Sequence, residues 1–393
     1  MSQAPQTPQY ELTRLQSVDE LRSIAAAWDE LWWRSEGLFP TARAATVAQC
    51  AAQFAQGERV CALVVSRGDR LLAALPLVGA RVKHVLPVGG LAGNAWTPAG
   101  DLLLDPDCDV PSVLDTLVSG VAGLPWPLVW LEAAMMDSAR WIGLHEALGR
   151  AGLMSFVQDR FAVARCGIDR YWESYQRGRS RNLRRAMRRA TRAAEQFGEI
   201  GFELHTPAAT DKVNRLLRRG FEVEDSSWKG EAGSSVLSNP GMFDFFAHQA
   251  QQLATWGQLA VSLLTINGEA IAFEYALAAK GAYAPVKVGY DPRFSEVKPG
   301  QLLRWHLLRT LHTEGRWSGV DFVGPISHAT ARWSTTTYRL CRMVIAPPRF
   351  SSRLLLAGYR MAKYRGNVSE TISEPALLAE DRSEPAFAAT SAD

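Results

Sequence analysis

The residues of this 393-residue chain best suited to chemistry lie between Glu224 and Trp333. Lys287-Val288-Gly289-Tyr290-Asp291 ends an apolar run, and alternation puts Lys287 and Gly289 on one strand face, Val288 and Tyr290 on the other. A phenol and a carboxylate at a strand end can donate and accept protons, so Tyr290 and Asp291 are acid/base candidates. Asp-Pro is equally an ordinary turn. KPGQLL follows, and Pro299-Gly300 opens a helix. Its first N–H groups lack intrahelical partners, and a helix N-terminus placed just after a strand suits a pyrophosphate. Upstream, Glu224-Asp225-Ser226-Ser227-Trp228-Lys229-Gly230 reads as a loop with an aromatic platform and a cation. Downstream, DFVGPISHATARW holds Asp321 at a strand end, His328 seven residues later, and Trp333. That pairing suggests proton transfer, while a lone His in a loop is more often surface or structural.

The segment Arg177 to Arg192, RGRSRNLRRAMRRATR, has eight arginines and no acid. As a helix it leaves a narrow apolar seam of Leu183, Met187, Ala190 and Ala194, with arginine over the remainder. Three readings stay open: a solvated face, a phosphate site, or a grip on nucleic acid or an anionic membrane. A net charge of only +3 and the lack of a nucleic-acid motif weigh against nucleic acid.

These residues need elements to hold them. The length suits two domains, and 47% hydrophobic with 21% charged residues excludes a disordered chain, a collagen-like fibre or a disulfide mini-protein. No run of about 20 apolar residues suggests a spanning helix, and the first residues lack a secretory signal pattern. Five scattered cysteines fit no metal spacing and read as reduced thiols of a cytoplasmic protein; no metal is expected. P-loop and G-x-S-x-G signatures are absent.

Alternating helix and strand signals point to an α/β (α+β) fold. A helix spans Leu21 to Trp32, and VCALVVSRGDRLLAALPLV reads as a hairpin. A helix from Pro111 to Val121 and the strand PLVWLEA follow. LAVSLLTINGEAIAFEYALA repeats the hairpin, and setting Gly268 over Gly68 aligns both strand pairs at an offset of 200 residues. This favours two copies of one fold. A strand at AYAPVKVGY, a helix with a Leu303, Leu307, Leu311 stripe, and a strand at VDFVG complete the second copy. The expected division is a disordered 1–10, domains at 11–160 and 161–350, then a basic helix and an acidic disordered tail in 351–393.

In this order, RNLRRAMRRATR, EDSSWKG, NGEAIAFEYAL, KVGYD, KPGQLL and DFVGPISHATARW resemble the CelD-like (cellulose-biosynthesis-type) branch of the GNAT acetyltransferase superfamily. That branch is related to the FemAB-like transferases. The similarity runs from about Trp28 to Arg349 and is strongest over Tyr171–Trp333. It implies tandem GNAT-like domains, each a mixed twisted sheet flanked by helices. It also implies acyl transfer from acetyl-CoA or another acyl-CoA to an amine, often on a sugar of a surface polysaccharide or its precursor. On this reading Asp291 or Glu274 is the base, with Asp321 or His328 as alternatives, and Tyr290 protonates the departing thiolate. Backbone N–H groups around Val288 to Tyr290 would hold the oxyanion. Lys287, Val288, Pro299, Gly300 and Gln301 would bind the donor, with Arg184 and Arg188 reaching its phosphate or an anionic acceptor. Glu224, Trp228, Lys229 and Trp333 would bind the acceptor.

The chain departs from ordinary GNAT enzymes, whose Q/R-x-x-G-x-G/A is reduced here to Pro299-Gly300. FemAB-like relatives diverge similarly and use aminoacyl-tRNA, so a tRNA donor is the alternative. A non-catalytic tandem GNAT that binds a polysaccharide-assembly or membrane partner is another. Arg353, Arg360 and Arg365 beside Leu354, Leu355 and Leu356 extend the arginine-rich surface, leaving open a peripheral contact with the inner membrane.

Overall fold

The computed structural model describes residues 10–364 apart from 56–57, 95, 99 and 209. The expected terminal segments 1–9 and 365–393 lie outside the described residues. The N-terminal half begins with β1 (Glu11–Leu15), α1 (Val18–Ser23), α2 (Ala25–Arg34) and α3 (Ala44–Phe54). The single helix expected over Leu21–Trp32 is broken at Ile24, whose φ/ψ of −107°/15° is not helical. There follow β2 (Val60–Arg67), β3 (Arg70–Val82), β4 (Leu86–Leu91), β5 (Leu103–Leu104) and α4 (Val110–Ser119). Then come β6 (Val129–Ala134), α5 (Ala139–Arg150) and β7 (Met154–Gly167).

The second half opens with α6 (Trp172–Gly178), α7 (Arg181–Phe197), β8 (Ile200–His205) and α8 (Thr210–Asp225). It continues through α9 (Trp228–Glu231), α10 (Met242–Thr255), β9 (Leu259–Ile266), β10 (Glu269–Ala279) and β11 (Ala282–Tyr290). The chain ends in α11 (Pro299–Glu314), β12 (Gly319–Pro325), α12 (His328–Ala331), β13 (Thr336–Ala346) and α13 (Phe350–Tyr364).

One mixed sheet crosses both halves in the order β1-β2-β3-β4-β6-β13-β7-β12-β11-β10-β9-β8, with β5 paired to β3. Read from either end, the order is the same architecture. Four antiparallel strands come first, then a parallel partner (β4 with β6, β11 with β12), then a central antiparallel pair. The duplication expected from the two hairpins is therefore present in the topology, Gly68 and Gly268 both turning at positive φ (58° and 82°). The halves also exchange strands. β7 pairs with β12, and β13 with β6, so each half is completed by a strand from the other.

Helices cover both faces. Leu63, Val65, Met343 and Ile345 pack under α4 and α5, whereas Ala62 and Val64 pack under α2 and α3. α13 rests on this second face through Leu356 against Trp130 and Val344. α10 lies there too, joined to α3 by Gln49 Nε2 donating to Phe245 O at 2.8 Å. α11 covers the first face with Leu302, Leu303, Leu307, Leu308 and Leu311 buried, each worth about 1.5–3 kcal/mol. Gly315 at φ 70° ends it.

α7 forms the expected seam, with Leu183, Met187, Ala190 and Ala194 buried and Ser180 capping its start. It runs antiparallel to α11. α6, just before it, meets α11's later turns through Trp172 on Trp305 and Tyr175 on His312, and Phe197 at its end meets Phe294 ahead of α11.

Candidate active site

β11 and β12 pair only at Ala282 with Gly319 and Tyr283 with Val320, then diverge into a wedge. Each wall is bent by a bulge. In β11 the register against β10 jumps around Val286, and in β12 the pairing to β7 skips from Asp321 to Pro325. Within the second bulge Val323 sits at φ 63°, a costly conformation for a β-branched residue, of order 1–3 kcal/mol. Asp321 Oδ1 holds it there, accepting the Val323 N–H at 2.9 Å. Asp321 also takes Arg165 Nε at 2.8 Å and the Tyr338 hydroxyl at 3.2 Å.

On the α11 side of the wedge stand Val288 and Tyr290. Tyr290 Cδ1 is the nearest atom, at 4.0 Å, to where a Gly300 side chain would begin, so the approach to the helix start is open. Lys298 caps α11 in the left-handed region (φ 52°) with no side-chain hydrogen bond at the cap. Arg332 leans over the same turn. Its Nη1 donates to Gln301 Oε1 at 2.6 Å, its Nη2 meets His328 Nδ1 at 2.9 Å, and no carboxylate pairs with it among the described residues. An uncapped helix N-terminus beside an uncompensated guanidinium favours an anion.

The other side faces α8 and α10. Gly289 is packed so tightly that a Cβ would lie 2.6 Å from Glu224 Cα. Glu224 is buried at the end of α8 and accepts Lys229 Nζ at 3.0 Å and Val236 N–H at 3.1 Å. Lys229 Nζ also donates to Val288 O at 2.6 Å. That carbonyl therefore points away from β10, whereas the Asp291 N–H bonds Ile271 O within β10. By strand alternation the N–H groups of Val288 and Tyr290 face the wedge. Lys287 Nζ lies 4.1 Å from the ring centre of Trp96, which comes from the other half, and 5.3 Å from that of Phe246. Burial pushes the Lys287 ammonium down to about 8, with Glu224 opposing the shift and Lys229 adding to it.

Several expected roles change. Asp291 is tied to its own turn, accepting the Arg293 N–H at 2.9 Å and Arg293 Nη2 at 2.6 Å. Burial would raise its pKa, but these bonds outweigh it and hold the carboxyl below the usual range, a poor base. Asp321 is saturated by the bulge it supports. Glu274 is buried, pairs with Arg304 and accepts the Tyr283 hydroxyl at 3.2 Å; burial raises its pKa. His328 is exposed on α12 and turned to Arg332. Trp333 is buried in the core beside Trp305. The segment read as a loop is instead the end of α8 followed by the one-turn α9, and Trp228 is half-buried there.

Arg184 and Arg188 stand on the early and middle turns of α7. At 1.5 Å per residue they lie about 20 Å and about 13 Å from its Phe197 end, which is the end beside the start of α11. Neither has a hydrogen bond or ion pair to Pro299-Gly300 or Gln301 among the described residues. Three residues that the sequence reading passed over do contribute: Arg332, Lys298 and Trp96. Arg332 lies inside a motif already singled out, and Lys298 directly precedes Pro299. Trp96 has no local signal, because it arrives from nearly 200 residues away.

Residues 181–333 match the acetyltransferase (GNAT) domain family. No curated protein sequence matches the chain. Among solved structures, the chain resembles a C-terminal domain (DUF2156) assigned to a lysylphosphatidylglycerol synthetase of Agrobacterium fabrum. Identity is 12%, coverage 90% of this chain and 99% of that one, and the TM-score 0.51. It also resembles FemX, at 9% identity, 85% and 96% coverage, and a TM-score of 0.54. No helix among the described residues is long and apolar enough to cross a membrane. The second half of this chain thus matches the GNAT acetyltransferase family over residues 181–333, within a fold duplicated across the two halves.

Proposed function

We propose that the chain is an N-acyltransferase that moves an acyl group from acyl-CoA to an amine in the wedge between β11 and β12. The observation that carries this reading is the α11 N-terminus. It is uncapped, open at Gly300 and accompanied by Arg332, directly beside the divergent strands. The donor pyrophosphate would rest there, and the thioester would enter the wedge. The Val288 and Tyr290 N–H groups would meet the developing oxyanion. Tyr290, exposed at the strand end, would protonate the thiolate.

The amine would come from the α8 and α10 side. Lys287, whose proton is exchangeable near neutral pH, is the base on that face in place of the four carboxylate and imidazole candidates. Most of the rate gain would come from holding the amine in line with the carbonyl. Trp228, half-buried beside Lys229, offers the flat face on which a sugar carrying that amine would stack.

A second reading has its own observation. Arg181, Arg184, Arg185, Arg188, Arg189 and Arg192 form no ion pair among the described residues. Such a face would suit a larger polyanionic donor, an aminoacyl-tRNA. Isothermal titration with acetyl-CoA separates the two. Micromolar binding lost in Gly300→Glu supports CoA at α11, because that position has room for the new side chain. No binding at millimolar CoA overturns the acyl-CoA reading.

A further inference from the structure

α13 is anchored on one side and bare on the other. Ser352 and Leu356 are its buried residues. At 100° per residue, Phe350, Leu354, Ala357, Met361 and Tyr364 fall within an arc of about 80° on the opposite side. That stripe is uncovered: Phe350 is 84% exposed, Leu354 63%, Met361 55% and Tyr364 77%. Large apolar side chains gathered in this way on one helix mark a contact surface.

The charges identify its partner. α13 contains no acidic residue, and Arg353 and Arg360 border the stripe along one edge. Neither forms an ion pair among the described residues; Arg360 only leans toward Phe156, 5.9 Å from its ring centre. An apolar ridge edged by unpaired guanidinium groups fits the boundary of a bilayer with anionic headgroups, where acyl chains take the ridge and phosphates take the arginines. A second copy fits less well, because antiparallel two-fold packing of α13 on itself would bring the arginine edges together. We infer that α13 is an interfacial helix that seats the protein on an anionic membrane surface. It lies on the same face of the sheet as α10 and Lys287, so docking would turn the amine-accepting side of the wedge toward the lipid.

Co-sedimentation of the full chain with vesicles tests this. Phosphatidylcholine vesicles containing about one third phosphatidylglycerol should retain the protein, and pure phosphatidylcholine should not. Leu354→Glu with Met361→Glu should abolish retention at an unchanged melting temperature, since both side chains are already in water. Arg353→Ala with Arg360→Ala should weaken it about thirtyfold, at about 1 kcal/mol for each cation. Retention that ignores both pairs, or no retention at all, overturns the inference. So does retention only by a chain ending at Tyr364, which would make the acidic residues 365–393 the occupant. A dimer that Leu354→Glu with Met361→Glu dissolves would assign the stripe to a second copy instead.

Discussion

Replacing Lys287 by Met should stabilise the protein near neutral pH while removing activity. The ammonium is held at about 8, against 10.5 for an unburied lysine, a drop of about 2.5 units. At 1.36 kcal/mol per unit this is a penalty of about 3 kcal/mol for keeping the charged form in place. The Trp96 ring returns about 0.5–2 kcal/mol of that through its attraction for the cation. The net gain on substitution is therefore about 1–3 kcal/mol. Its pH dependence has a definite sign. The folded-state pKa lies below the unfolded one, so between about 8 and about 10.5 the unfolded chain holds the extra proton, and wild-type stability rises with pH. Below that window the full penalty applies. Urea midpoints at about pH 7 and about pH 10 should therefore differ for the wild type. They should converge with those of Lys287→Met at the higher pH. Turnover of the variant should fall about 10²–10⁴-fold, the range for loss of a general base. A variant less stable at neutral pH, with a wild type whose midpoint is flat across the window, would refute the argument and make Lys287 an ordinary paired cation.

Asp291→Asn should lower kcat less than about tenfold, because the carboxylate caps a turn rather than accepting the amine proton; a loss of about 10³ would restore it as the base. Tyr290→Phe should depress kcat about 10–10²-fold at an unchanged melting temperature, the ring being 38% exposed. An unaltered pH–rate profile with normal kcat would remove Tyr290 as the acid. Gly289→Ala should cost about 1–3 kcal/mol, because its methyl would press on the Glu224 backbone; urea denaturation reads the loss. It should also raise KM for the amine more than for the donor, since it displaces the Glu224–Lys229 pair and leaves α11 untouched.

The architecture was legible because local chemistry marks it. The Asn267-Gly268 turn, the leucine stripe of α11 and the arginine-sided seam of α7 each follow from spacing within a few turns. The strand exchange between halves was not, because nothing in the β7 and β13 sequences names their partners, which topology chooses. Within the site, the face alternation of Lys287 to Tyr290 and the open turn at Pro299-Gly300 could be read directly. Carboxylate roles could not. Asp291, Asp321 and Glu274 look alike in sequence, and only their neighbours Arg293, Arg165 and Arg304 reveal that each is already engaged. The setting of Arg184 and Arg188 was hidden for a related reason: sequence gives the charge of a helix but not the direction in which it runs past another.

The two halves share a fold but not a site, and the difference is chemical. In the first half α4 stands where α11 stands in the second. Its N-cap is Asp109, whose carboxylate accepts the Ser112 hydroxyl at 2.7 Å and fills the position with negative charge, which repels a pyrophosphate. The edge of the sheet there is closed as well: a Cβ on Gly100 would fall 2.9 Å from Ala92 N, so the returning loop lies directly on the end of β4. The second half has Lys298 at the cap, open space at Gly300 and Arg332 overhead. The segment after β4 also carries Trp96 across to Lys287. The second copy thus keeps the open helix start, while the first contributes Trp96 to the surroundings of the buried Lys287 ammonium.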